Sequence, residues 1–77
     1  LKLAHTVLNE GGTAPCILNA ANEIAVDKFL KSQIKFSSIP EIIMRALNGI
    51  QKINEPDIDT IIECDSKTRL FTEKLLS

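Results

Sequence analysis

The stretch Leu18-Asn19-Ala20-Ala21-Asn22-Glu23-Ile24-Ala25-Val26 decides the fold. At ~100° per residue, Ile17, Leu18, Ala21, Ile24, Ala25 and Phe29 fall in one wide apolar arc of a helix. Asn19, Glu23, Asp27 and Lys31 run down the opposite side at i, i+4 spacing, where Asp27 and Lys31 can pair. Ala20, Ala21 and Ala25 leave room for another helix, or another domain, to approach closely. The spacing predicts a helix over residues 14–31 as the central piece of a bundle. Thr13 is its expected N-cap, and Pro15 sits in the first turn, where a missing N–H costs nothing.

Upstream of this helix, residues 2–10 read as a short first helix carrying Leu3, Ala4, Val7 and Leu8, stopped by Gly11-Gly12. Downstream, residues 32–36 break the pattern and form an extended connector. Ser38-Ile39-Pro40-Glu41 has the form of a capping box. It opens the cleanest amphipathic run of the chain, with Ile39, Ile42, Ile43, Ala46, Leu47, Ile50 and Ile53 at steps of three and four. Gly49 weakens that run without interrupting its stripe, and Asn54-Glu55-Pro56 ends it. Pro56 or Asp57 then opens a short fourth helix carrying Ile58, Ile61 and Ile62. Asp65 reads as a fresh N-cap for a final helix with Leu70, Phe71 and Leu75 on one side. The predicted fold class is all-α: a small bundle of four main helices, the last continuous or split at Asp65.

Composition narrows the function classes. The 77 residues are 44% hydrophobic, almost all aliphatic, which suits one small core and argues against disorder. Nine basic residues nearly balance ten acidic ones. Without a basic stripe, neither nucleic acid nor an anionic membrane is an expected partner. No apolar run approaches the ~20 residues of a membrane span. Cys16 and Cys64 are isolated, lacking the companions of a zinc site. They are expected to be buried and reduced, although a single disulfide between them is open to the chain. The chain begins at Leu1 rather than Met, so a piece of a longer polypeptide is expected.

Candidate chemistry is sparse. His5 has no motif partner. Glu23 and Asp27 lie one turn apart, a spacing that could bridge a metal, yet no Glu-x-x-His companion completes such a site, and a solvated face accounts for them. Asp57, Asp59, Glu63 and Asp65 lack the glycine turn of a calcium loop, and acidic residues in a first helical turn suit the helix dipole. Gly11-Gly12-Thr13 precedes a helix but lacks the Lys-Ser/Thr of a phosphate loop. Asn22 stands out, because it lies at the edge of the apolar arc. If buried, its amide needs partners, either from a neighbouring loop or from a domain outside this chain. Nothing resembles a nucleophile with its base, so no catalytic, cofactor-binding or metal-binding residue is assigned.

The segment Pro15-Cys16-Ile17-Leu18-Asn19-Ala20-Ala21-Asn22-Glu23-Ile24-Ala25-Val26, then Phe29-Leu30 and Ile34-Lys35-Phe36-Ser37-Ser38-Ile39, closely resembles the C-terminal domain of 1-deoxy-D-xylulose 5-phosphate reductoisomerase. Ile61-Ile62-Glu63-Cys64-Asp65-Ser66-Lys67-Thr68-Arg69 is similar to that family's closing stretch, with Thr68 where a smaller alanine is expected. The resemblance runs in order over nearly the whole chain. It implies a parent enzyme that rearranges 1-deoxy-D-xylulose 5-phosphate and reduces the product with NADPH to 2-C-methyl-D-erythritol 4-phosphate, on the non-mevalonate route to isoprenoids. It further implies Mg²⁺ or Mn²⁺, a homodimer, and a cytoplasmic or plastid-type location. The family's metal, phosphate and NADPH motifs belong to its other domains, so none is carried over to this chain.

Two functions are therefore expected to compete. In the first, this is the structural bundle of that enzyme, inactive alone, with Asn19, Asn22 and Glu23 fixing its packing against the catalytic domain of its own chain. In the second, it is a freestanding adaptor that binds a partner helix in an Ile-rich groove.

Overall fold

The computed structural model describes residues 11–76, and among these the fold is helical with no strand. Three α-helices follow in order: α1 (Ala14–Leu30), α2 (Ile39–Gly49) and α3 (Ile58–Leu75), with a 3-10 turn (Phe36–Ser38) leading into α2. Helix α1 packs along both of the others, which meet each other far less. The expected first helix over residues 2–10, and His5 with it, lies outside the described residues, among which the bundle has three α-helices and not the four expected.

Helix α1 forms where its arc and its Pro15 start place it. Ala14, Ile17, Ala20, Ala21 and Ala25 are all fully buried, while Leu18, Ile24, Val26 and Phe29 are half-buried around them. The Asp27–Lys31 pair forms at 3.0 Å on the exposed side. At the C-terminal end, Ser32 takes a left-handed φ of 60°. Gln33 N–H then donates back to the Lys28 carbonyl at 2.9 Å, absorbing an acceptor that the helix end leaves open. The connector folds across itself, with Phe36 edge-on to Phe29 at 5.4 Å between ring centres.

The two expected N-caps of α1 and α2 are replaced by other contacts. Thr13 does not cap α1; its backbone is already helical and its hydroxyl is turned elsewhere. Thr13 Oγ1 accepts from the Ile53 N–H at 2.9 Å, and Thr13 N–H donates to the Ile53 carbonyl at 3.0 Å. This two-way clamp ties the start of α1 to the loop after α2. Gly12 sits beside it at φ +58°, where a Cβ would collide with the Ile53 carbonyl. Ser38 makes no capping bond either, because the 3-10 turn runs directly into α2 and gives it helical dihedrals. Glu41, freed from the box, pairs with Arg45 at 3.3 Å.

Helix α2 buries Ile39, Ile42, Ile43, Ala46 and Leu47, as the stripe predicts. It stops at Gly49, short of Ile53: Ile50 is extended, and Ile53 is 43% exposed. Two contacts account for the early stop. Ile53 is held by Thr13, and Lys52 Nζ reaches back to the Leu47 carbonyl at 2.9 Å, supplying charge to the helix C-terminus.

The largest correction concerns α3. It is one continuous helix, capped by Asp57, whose carboxylate accepts from Thr60 N–H at 2.7 Å. Asp65 lies within it and pairs with Arg69 at 2.9 Å instead of capping a new helix. Its buried edge is Cys64, Thr68 and Thr72, one residue per turn. Ile58, Ile62 and Leu70, three of the large apolar residues it carries, are 75%, 60% and 64% exposed. Bulk decides this. The alanine surface of α1 leaves no hollow for isoleucines, and the smaller Cys and Thr side chains bring the helices closer. Thr68 Oγ1 donates to the Cys64 carbonyl at 2.8 Å and Thr72 Oγ1 to the Thr68 carbonyl at 2.7 Å, so neither hydroxyl is buried unpaired.

Phe71 closes the third side by laying its ring on Gly49, where a Cβ would strike the ring. Gly49→Ala gains at most ~1 kcal/mol of helix propensity but overpacks this contact, which costs about 1–3 kcal/mol. Thermal unfolding should therefore show Gly49→Ala less stable than the parent chain, while Ala at the exposed neighbour Asn48 leaves stability unchanged or raises it.

Candidate functional site

The residues singled out in the sequence come together on one outward surface shared by α1 and α3. Asn19, Asn22 and Glu23 are all exposed. Asn22, at the edge of the apolar arc, faces out of the bundle and not into its core. The buried stripe of α1 is made of alanines and Ile17, and the helix turns its Asn19–Asn22 side away from both partners. The amide is left facing outward, where it is solvated in this chain.

Glu23 is anchored by a residue that the sequence reading passed over. Arg69 of α3 bridges to Glu23 and, one turn back along its own helix, to Asp65. The two carboxylates hold the guanidinium still deeper in its always-charged range, Asp65 contributing most and Glu23 next. With the Lys28–Glu73 pair at 3.3 Å, the same helix pair is tied at a second point. Such pairs are half-exposed and each is worth at most ~1 kcal/mol, so they fix register more than they stabilise. Asp65–Arg69 was visible as an i, i+4 spacing; Glu23–Arg69 spans 46 positions and had no local signal.

Cys16 and Cys64 are free thiols, the first half-buried and the second buried. Cys16 Sγ contacts the Ile61 carbonyl at 3.6 Å, which places the start of α1 against the first turns of α3. Burial pushes the Cys16 thiol up to about 11, helped by the neighbouring Cys64 thiol and the Asp65 carboxylate. That is the signature of an inert packing thiol and the opposite of a nucleophile.

On the far side of α3 an open groove of about 310 Å³ is lined by Gly49, Ile50, Gln51, Ile53, Thr60, Glu63, Cys64 and Lys67. Its one ion pair, Glu63–Lys67 at 2.9 Å, is an exposed i, i+4 contact. Among the described residues no three His, Cys, Asp or Glu side chains converge on a point where a metal could sit. Of the acidic residues considered for calcium, Asp57 is a cap, and Glu63 and Asp65 are paired within their own helix. Gly11 and Gly12 make the turn before α1, and Thr13 spends its hydroxyl on Ile53. Among the described residues no helix is long and apolar enough to cross a membrane. The arrangement suits a surface that is packed against, with a charged cluster at its edge.

Comparison with known proteins bears on what that surface belongs to. Residues 1–71 match the family model described as the DXP reductoisomerase C-terminal domain. A 1-deoxy-D-xylulose 5-phosphate reductoisomerase of Listeria welshimeri is 49% identical over 76 residues, covering 99% of this chain and 20% of its own length. One from Listeria monocytogenes is 46% identical over 76 residues with the same coverage, and one from Xanthomonas axonopodis pv. citri is 44% identical over all 77 residues, 19% of its length. The chain thus spans about a fifth of the length of the curated relatives it matches.

The raised Cys16 pKa gives a signed expectation. The folded value lies above the ordinary 9.0, so its contribution to stability is complete below pH 9 and is lost as pH rises through about 11. At pH 8 the thiolate fraction is roughly a hundredfold below that of an unperturbed thiol. Iodoacetamide should therefore modify Cys16 far more slowly in the folded chain than in urea, followed by mass spectrometry of its peptide. Equal rates would mean that the thiol is not held as described.

Proposed function

The chain belongs to the DXP reductoisomerase C-terminal domain family, and from that membership we propose that it is the structural domain of such an enzyme, packing against the catalytic domain of its own chain. The parent enzyme would convert 1-deoxy-D-xylulose 5-phosphate to 2-C-methyl-D-erythritol 4-phosphate with NADPH and Mg²⁺ or Mn²⁺, as a homodimer in the cytoplasm or a plastid-type organelle. These groups would be held by the remaining four-fifths of the parent chain and not by the residues described here. In this reading Asn19, Asn22 and Glu23 are packing residues. The observation that carries it is the match over nearly the whole chain to a small part of much longer reductoisomerases.

The exposed asparagines support the same view. An exposed amide is indifferent to the stability of the isolated bundle, but becomes costly to remove once another domain supplies its partners. The 77 residues alone would neither turn over substrate nor bind NADPH. Nothing observed favours a freestanding adaptor, since the relatives carry this sequence within a longer enzyme.

In the full-length enzyme, Asn22→Ala should lower the unfolding midpoint by leaving its partner across the domain boundary unsatisfied, at a cost of about 1–3 kcal/mol. Turnover per folded molecule should be retained. Lost turnover at unchanged stability would contradict a packing role, as would reductoisomerase activity from residues 1–77 alone.

A further inference from the structure

Ile58 at 75% and Ile62 at 60% exposure face out of the bundle at the start of α3, and Ile61, nearer the buried edge, is 41% exposed. Ile58 and Ile62 stand one turn apart on one side of the helix, with Ile61 beside them. Scattered exposed apolar residues are ordinary, but three β-branched side chains within five positions form a patch.

This patch continues the surface described above. The Cys16 contact with the Ile61 carbonyl brings the first turn of α1 beside it. Cys16, Asn19 and Glu23 share one side of α1 at i, i+3 and i+7 spacing. Glu23 in turn pairs with Arg69, which also holds Asp65, and both of these lie on the Ile58–Ile62 side of α3. The isoleucines thus have an amide and an ion-pair cluster at their edge, which is the make-up of an apolar interface patch with a polar rim.

We propose that Ile58, Ile61 and Ile62, rimmed by Asn19 and the Glu23–Arg69–Asp65 cluster, form the seat for the portion of the reductoisomerase chain that precedes this domain. The proposal rests on the reading of this chain as part of that enzyme, and adds which face is used. Size favours this occupant. Three isoleucine side chains cover far less than the roughly 800 Å² per partner of a stable complex between separate molecules. A covalently attached partner is held at high effective concentration and needs less. The relatives are about five times longer than this domain, so such a partner is on hand.

The test places the photocrosslinking residue p-benzoylphenylalanine at position 62 of the full-length enzyme, repeats it at 58 in case one variant folds poorly, and maps the adducts by mass spectrometry. The expected result is an adduct within one molecule to residues that precede this domain. An adduct to residues 1–10, an adduct between two molecules, or none from either position would overturn the proposal. The same probe at position 22 separates the two levels. Adducts to the preceding domains from 22 but not from 58 or 62 overturn this face alone, while none from any of the three overturns the packing role as well.

Discussion

Four alanines of α1, Ala14, Ala20, Ala21 and Ala25, are fully buried, and their small side chains set how closely the other two helices approach. Such a surface rewards neighbours that are themselves slim or flat. Helix α2 meets it with a regular isoleucine stripe, and α3 with Cys64, Thr68 and Thr72. Burying threonines is tolerable only because each hydroxyl bonds a carbonyl one turn back, so the close approach strands no polar group. Among the described residues no buried side-chain nitrogen or oxygen lacks a partner.

From that constraint the remainder follows. With its slim edge inward, α3 must carry its isoleucines outward, since one helix cannot bury opposite faces against one neighbour. Gly49 then lies where the Phe71 ring arrives, and the end of α2 is set by that meeting and by the Thr13–Ile53 clamp. The charged pairs Glu23–Arg69 and Lys28–Glu73 run along the same α1–α3 seam and hold its register. A domain built this way has a core of aliphatic side chains and inert thiols, and presents its more varied chemistry outward.

The parts legible in the sequence were those governed by local periodicity. Helix α1 follows from its arc, α2 from its stripe, the start of α3 from Pro56-Asp57, and Asp27–Lys31 from spacing alone. What escaped was decided at long range. Thr13 reads as a cap until Ile53, 40 positions away, takes its hydroxyl. Glu23 reads as a solvated carboxylate until Arg69 arrives from 46 positions away. The isoleucines and leucines of α3 do not by themselves tell which of its sides is buried, because the alanines opposite select for smallness. The Cys64-Thr68-Thr72 repeat at i, i+4 was the available signal. Asn19, Asn22 and Glu23 drew notice as a motif, and their exposure now explains why no role inside the bundle accounts for the two amides.

The central claim is that α3 turns its small edge to α1 and its isoleucines away. Methyl NOE spectroscopy of the isotope-labelled chain reads this directly. Cross-peaks from the Thr68 and Thr72 methyls to the alanine methyls of α1 are predicted, with none linking Ile58 or Ile62 to Ile42 or Ile43. Strong cross-peaks from Ile58 and Ile62 to that isoleucine core, with Thr68 and Thr72 silent, would contradict the account.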